Sequence, residues 1–364
     1  QMTYFEIGFI FLITSFLIQC FYLFYFSARV AFIKENESVE KKGITVIICA
    51  RNENENLKKN LPLVLNQKYD DFEVIVVNDR SWDNSIEILN NFKAKYSHLK
   101  IVDIPDNKTD NFGKKLAITI GIKAAKNNYL LFTDADCQPL SEYWINEMSK
   151  GFDKEKQIVI GVGIYEKEKG FLNKIIRFDT VQIAINSLGY AKAKLAYMGV
   201  GRNLAYHQDV YYLNDGFKSH YHVESGDDDL FVNQASNITN TQVIFNSQSM
   251  TISKPKTEFK NWVYQKIRHH TTNFKYKKKH KILLGMQYLS ALAFYFSVIF
   301  SLFSINYIKI GLLLFTVRYL LIIAINFKAF KIMMCKDLLW AFPIYEIILL
   351  FCHPIFQINR RIRL

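Results

Sequence analysis

The sequence predicts an α/β fold built on a mostly parallel sheet and flanked by transmembrane helices. Between Ile44 and Asp136, short runs of Ile, Val, Leu and Phe alternate with stretches of helical periodicity. That is the pattern of strands joined by crossover helices and covered on both faces. On either side lie uninterrupted apolar stretches, Tyr4 to Phe26 and from Ile282 onward, long enough for the roughly 20 residues a spanning helix needs. Of the 364 residues half are hydrophobic, and much of the aromatic content, 30 Phe and 21 Tyr, sits in these end runs.

The elements follow in order. Ile44 to Ala50 is a first strand and Asn54 to Gln67 a helix. Phe72 to Asp79 is a second strand, and Asp83 to Tyr96 a helix with Asp83 as its N-cap. Leu99 to Ile104 is a third strand, Lys114 to Lys126 a third helix, and Tyr129 to Asp136 a fourth strand. Ligands of such sheets bind beyond the carboxyl ends of the strands. Those ends carry Ala50-Arg51-Asn52-Glu53, Asn78-Asp79-Arg80-Ser81 and Asp134-Ala135-Asp136. Farther on, Gln157 to Ile164 reads as a strand and Phe171 to Ala193 as a long helix. Gly199 to Tyr206 is a glycine-rich turn into a short strand, and Ser225 to Phe231 an acidic run opening a helix. Gln242 to Ser253 alternates as a strand. Phe259 to Tyr276 is an amphipathic helix with Trp262, Gln265, Arg268 and His269 near one stripe.

The chain divides into an N-terminal anchor (1–36), an α/β domain (40–255), an interfacial helix with a basic collar (256–281) and a C-terminal membrane region (282–364). The first span lacks a basic start and a small-residue cleavage site, so it reads as an anchor rather than a removed signal. Arg29, Lys34, Lys41 and Lys42 follow it, which sets its C-terminal end in the cytoplasm by the positive-inside rule. The collar is Lys275, Lys277, Lys278, Lys279 and Lys281. Ile282 to Ser304 and Ile308 to Asn326 are strong spans. Leu338 to Gln357 is a third, broken by Pro343 and Pro354 and carrying Glu346 and His353. Spanning is the expectation here, with a re-entrant or interfacial course as the alternative; if the run spans, the basic tail Arg360-Arg361-Arg363 lies outside, against the charge rule. The five cysteines show no paired spacing, which argues against a disulfide framework or zinc site and fits a reducing compartment.

Side chains alternate along a strand, so Asp134 and Asp136 face one side. Two such carboxylates repel unless a cation lies between them. A hard divalent ion, Mg²⁺ or Mn²⁺, with phosphate oxygens as its other ligands, fits. Lys114 and Lys115 follow Gly113 at a helix N-terminus, where backbone N–H groups and positive charge suit phosphate. The net charge of +13 suits nucleic acid, an anionic membrane or phosphorylated substrates. It concentrates beside the spans rather than on an aromatic-interleaved soluble face, which argues against nucleic acid.

In this order Arg51-Asn52-Glu53, Asn78 to Asp83, Gly113-Lys114-Lys115-Leu116-Ala117 and Asp134-Ala135-Asp136 resemble the motifs of membrane-bound family 2 glycosyltransferases, the inverting group that includes cellulose, hyaluronan and ceramide sugar transferases. The resemblance covers about residues 44 to 270 and the flanking helices. It implies a nucleotide-sugar-binding domain of the GT-A type. Ala50, Arg51, Glu53 and Asp79 would hold base and ribose, and Lys114 and Lys115 the phosphates. Asp134 would contact the nucleotide sugar, with Asp136 as direct metal ligand. Gly226-Asp227-Asp228-Asp229 resembles the family's Glu-Asp or Gly-Asp-Asp signature. Matching on the glycine makes Asp228 the general base, the choice preferred here. Matching on the downstream leucine makes it Asp227. Gln265-Lys266-Ile267-Arg268-His269 resembles Gln-x-x-Arg-Trp, with Arg268 toward the diphosphate and Gln265 and His269 at the acceptor mouth. His269 in place of Trp speaks for transfer of one or a few sugars.

The function so implied is transfer from a nucleotide sugar, a UDP-sugar in the first instance, to a lipid or lipid-linked acceptor. The catalytic domain would lie in the cytoplasm, on a multi-pass protein of the inner (plasma) membrane, serving the cell envelope with export or synthase partners. A processive polysaccharide synthase is the alternative. A catalytically inactive membrane scaffold is the rival from another class, and intact acids in every motif argue against it.

Overall fold

Thr3 and Glu6 begin the first helix with reciprocal bonds: the Thr3 hydroxyl accepts the Glu6 N–H, and the Glu6 carboxylate accepts the Thr3 N–H. The helix, α1 (Tyr4–Ala31), leads into β1 (Ile44–Ala50). The computed structural model describes residues 3–34, 41–105 and 113–361. Then come α2 (Asn54–Leu65), β2 (Phe72–Asp79), α3 (Ser85–Lys93), β3 (Leu99–Ile104), α4 (Gly113–Ala124) and β4 (Tyr129–Asp134). β1 has six of its seven residues buried, as a β-branched run covered on both faces requires. It pairs in parallel with β2 and β4, which sets Ala50 beside Asn78 and Cys49 beside Asp134. With neighbouring strands about 4.8 Å apart, the polar tips of three strands stand side by side. α4 lies close on this sheet: a Cβ at Gly121 would come within 2.7 Å of Ile47.

The chain continues through β5 (Cys137–Pro139), α5 (Trp144–Ser149), β6 (Ile158–Ile160), β7 (Gly163–Tyr165), α6 (Phe171–Lys192), β8 (Leu204–His207) and α7 (Gln208–Leu213). Next are α8 (Asp229–Ala235), β9 (Thr241–Val243), β10 (Thr251–Ser253) and α9 (Phe259–His270). The seven-stranded sheet has the order β3-β2-β1-β4-β8-β6-β9, and β8 runs against its neighbours. A small second sheet has the order β5-β10-β7.

Two expected strands are each divided between the sheets. In 157–164 the break falls at Gly161-Val162, so β6 stays in the large sheet and β7 joins the small one. Buried Asn203 holds the crossing, donating to the carbonyls of Val162 (2.9 Å) and Ser249 (2.7 Å) while accepting from Trp144 Nε1 (3.0 Å). The 242–253 stretch divides likewise into β9 and β10. The fourth strand stops at Asp134, leaving Asp136 in a turn, and α9 ends at His270 rather than Tyr276. α3 begins two residues after Asp83, whose carboxylate accepts from Ser85 N–H (3.0 Å) and from Asn54 N–H (3.1 Å) at the start of α2.

After α9 come α10 (Lys278–Ser301), α11 (Ile308–Ile332), α12 (Lys336–Leu339) and α13 (Phe342–Arg361). Among the described residues three helices are long and apolar enough to cross a membrane: Tyr4–Ala31, Lys278–Ser301 and Ile308–Ile332. The run 338–357, expected here as a further span, is not among them. That run is interrupted before Phe342, and its apolar helical part, Phe342–Gln357, is shorter. α13 lies instead on α9 and α6, with Trp262 against Phe356 (5.3 Å) and Phe178 against Tyr345 (5.3 Å). The tail Arg360-Arg361-Arg363 is outside the residues whose side chains are described.

Close contacts tie the membrane helices to the rest. The Phe26 and Tyr190 rings stack at 3.9 Å, and a Cβ at Gly189 of α6 would lie 2.7 Å from the Phe26 carbonyl oxygen. Arg318, inside α11, grips Glu346 of α13 through both nitrogens (2.9 and 2.8 Å) and Gln19 of α1 (2.7 Å).

Candidate active site

Gly113 adopts φ 59°, a left-handed conformation natural to glycine, where the chain enters α4. The next side chain, Lys114, reaches the end of β4. Its Nζ lies 2.5 Å from Asp134 Oδ1 and 3.4 Å from Asp227 Oδ2. Burial disfavours its charge, yet Asp134 and Asp227 hold its pKa well above the ordinary lysine value. The turn after β4 keeps Asp136 close: ligand atoms of Asp134, Asp136 and Cys137 all lie within 4.8 Å of one another. Burial and the Asp134 charge push Asp136 up. Burial, then both acids, push the Cys137 thiol well above its usual value. A protonated thiol is a poor ligand for a hard cation, whereas two carboxylates open to a cavity suit one.

The acidic run lies opposite. Asp228 caps α8: one carboxylate oxygen accepts the Asp229 N–H (2.7 Å) and the other the Gly201 N–H (2.7 Å). Burial and the charges of Asp227 and Asp229 push its pKa up to about 7. Burial acts on Asp227 in the same sense, but the Lys114 ammonium prevails and holds it below the usual carboxylate range. Asp229 is buried and accepts from Tyr276 Oη (2.7 Å) and from the Thr272 hydroxyl, which fixes the run to the segment joining α9 to α10.

Lys114, Asp134, Asp136, Asp227 and Asp228, with Gln265, Arg268 and His269, face one cavity of about 1160 Å³. Ala50, Arg51, Glu53 and Asp79 do not line it. They stand at the neighbouring strand ends: Ala50 buried, Arg51 exposed, and Glu53 half-buried and accepting the Asn56 amide (2.6 Å). Burial first, then Asp136 and Asp134, raise the Glu53 pKa. Asp79 is buried and engaged by Arg80 Nε (2.7 Å). Lys115 is a correction. It is turned away from the cavity and buried, and its Nζ donates to the carbonyls of Val223 and Ser225 (2.7 Å for the latter). It fastens the loop before the acidic run rather than meeting phosphate.

Sequence reasoning missed several lining groups. Arg202 follows the glycine pair of the 199–206 turn, a signal that was visible without a role. Its Nη1 donates to Ser253 Oγ (3.2 Å), and its guanidinium lies 4.3 Å over the Tyr165 ring. Tyr165 Oη accepts from Gln265 Nε2 (3.3 Å). Asp179 of α6 is buried beside Lys266 and His353. The cavity continues to Gln19 on α1, Gln287 on α10 and Glu346 on α13. Nothing local in the sequence joins these residues.

Residues 45–210 match the family profile described as glycosyl transferase family 2. Over those residues the chain is similar to that family. The poly-β-1,6-N-acetyl-D-glucosamine synthase of Staphylococcus epidermidis is 35% identical over 102 residues, 28% of this chain and 24% of that one. The synthase of the same name from Staphylococcus aureus is 36% identical over 97 residues, 27% and 22% of the two chains. The chain thus spans about a quarter of the length of the curated relatives it matches. In architecture it is similar to the mannosyltransferase PcManGT of Pyrobaculum calidifontis, solved with GDP-Man and Mn²⁺. The TM-score is 0.57 at 15% identity over 93% of this chain and 96% of that one. The fold is of the GT-A type.

Proposed function

We propose that this protein is an inverting glycosyltransferase that moves a sugar from a nucleotide-sugar donor, a UDP-sugar in the first instance, to a lipid or lipid-linked acceptor at the cytoplasmic face of the inner membrane. The observation that carries this reading is the cavity itself. It runs without interruption from Asp134, Asp136 and Asp228 to Gln19, Gln287 and Glu346 on the membrane-region helices. A donor and a membrane-borne acceptor can meet there.

In this reading Ala50, Arg51, Glu53 and Asp79 form the edge that receives base and ribose. Asp136, with Asp134, would hold Mg²⁺ or Mn²⁺, in keeping with the Mn²⁺ present in the mannosyltransferase complex. Such an ion, when bound, offsets the charge that develops on the leaving diphosphate. Lys114 and Arg268 add positive charge to the same region. Asp228 takes the proton of the acceptor hydroxyl as its oxygen bonds to the sugar's anomeric carbon. The bond to phosphate breaks on the opposite face, and the nucleoside diphosphate leaves with the electron pair. Gln265 and His269 line the acceptor mouth.

The processive alternative draws on the names of the curated relatives and on the polar groups along the membrane arm of the cavity. One experiment separates the readings. The purified protein in native lipid extract is given radiolabelled nucleotide sugars with Mn²⁺, and products are sized. Label in organic-extractable lipid supports the proposal. Label only in high-polymer material supports the synthase. No incorporation from any donor sinks both.

A further inference from the structure

We propose that Arg202 is a binding residue for the donor's diphosphate, held ready by Tyr165 and Gln265. The inference rests on the reading that the donor is a nucleoside diphosphate sugar.

Arg202 lines the cavity in company with Asp134 and Asp136. Its backbone is anchored from two sheets: its carbonyl accepts the hydroxyls of Thr133 on β4 (3.0 Å) and Thr251 on β10 (2.9 Å). The side chain is held as firmly. The Tyr165 ring lies beneath the guanidinium, and Nη1 reaches Ser253 Oγ (3.2 Å) and the Ile164 carbonyl (3.4 Å). The small sheet thus takes one nitrogen of the fork. Among the described residues, Nε and Nη2 have no hydrogen-bond partner, and Arg202 joins none of the ion pairs. An arginine that served only to fasten β7 to β10 would spend its fork on them. This one keeps two donor nitrogens for something in the cavity.

A diphosphate matches what is kept. Guanidinium N–H groups in a planar fork bind paired phosphate oxygens, and a charge-assisted bond of that kind is about twice as strong as a neutral one. Arg268, by contrast, is exposed. The bond from Gln265 to Tyr165 Oη gives the interfacial helix a second task. Gln265 acts as a positioning residue, fixing the ring on which the Arg202 fork rests.

The test uses the full-length protein in lipid nanodiscs and the probe Mn²⁺–pyrophosphate, which carries no base or sugar, with UDP and GDP alongside. Binding is followed by calorimetry. Arg202→Met is expected to weaken pyrophosphate and nucleoside diphosphate binding about tenfold or more, with Mn²⁺ binding alone retained and the protein still folded. Arg202→Lys should recover part of the loss. Tyr165→Phe and Gln265→Leu should each cost a few-fold in diphosphate affinity and raise the donor KM more than they lower kcat. Wild-type affinity in a folded Arg202→Met overturns the inference and leaves the glycosyltransferase reading standing. Should Arg202→Met not fold, unchanged affinity in both Arg202→Lys and Tyr165→Phe overturns it. A wild-type protein that binds neither pyrophosphate nor either nucleotide overturns inference and reading together.

Discussion

The Lys114 ammonium lies 2.5 Å from Asp134 Oδ1 and also within ion-pair range of Asp227. A single side chain therefore links the end of β4 to the acidic run before α8, and it holds the carboxylate that a divalent ion would need. In the proposed reading a bound metal and the lysine would compete for Asp134. We expect Lys114→Met to bind Mn²⁺ more tightly without nucleotide, by a few-fold, since a pair this open to solvent is worth no more than about 1 kcal/mol. The same variant should bind nucleoside diphosphate more weakly. Manganese titration by electron paramagnetic resonance measures the first effect, and unchanged or weaker Mn²⁺ binding excludes the competition.

As the proposed base, Asp228 would have to be ionised to take a proton, and its pKa is lifted to about 7 by burial and by Asp227 and Asp229. We expect kcat/KM to rise with pH through about 7 and level off above it. Asp228→Asn should lower transfer roughly 10²- to 10⁴-fold while donor binding is kept. Asp227→Asn should do less harm. Transfer lost in Asp227→Asn and kept in Asp228→Asn moves the base one residue back, to the carboxylate beside Lys114.

Gly189 leaves no room for a side chain, because a Cβ there would come 2.7 Å from the carbonyl oxygen of Phe26. Gly189→Ala should push α1 off α6 and separate the stacked rings of Phe26 and Tyr190. The expected cost is about 1–3 kcal/mol, seen as a lower melting temperature in detergent. An unchanged melting temperature excludes this close approach of the two helices.

Arg318 and Glu346 form a buried, doubly bonded ion pair between α11 and α13. Removing one partner strands a charge, at roughly 3–5 kcal/mol, whereas replacing both with apolar groups is far less harmful. We expect Arg318→Leu and Glu346→Leu each to expose α13 to protease, and the double variant to resist better than either. Additive losses in the double variant count against the pairing.

Most of the α/β half was legible because its signals are local. Apolar runs and intervening helical periods located β1 to β4 within two residues, and their carboxyl ends gathered the motif acids. Where the sequence misled, contacts remote in the chain decided. A run like 157–164 gives no hint that Asn203, some forty positions on, will split it between two sheets. Lys115 and Lys114 are chemically identical neighbours at a helix start. Only the fold turns one to the carbonyls of Val223 and Ser225 and the other to Asp134. The 338–357 stretch has the composition of a span. Nothing in it announces the break before Phe342 or the partners for Glu346 and His353 that lie on α11 and α6.

The hydroxyl of Tyr276 holds Asp229 at 2.7 Å, and two residues later the chain enters the membrane-region helix α10. The depth at which that helix sits in a bilayer is therefore mechanically linked to the carboxylates beside it. Lipid thickness becomes a control on chemistry: a bilayer too thick or too thin for α10 would tilt or shift it and pull the Asp227–Asp229 run out of line with Asp134. Turnover measured in vesicles of graded acyl-chain length should pass through a maximum, and Tyr276→Phe, which cuts the link, should flatten it.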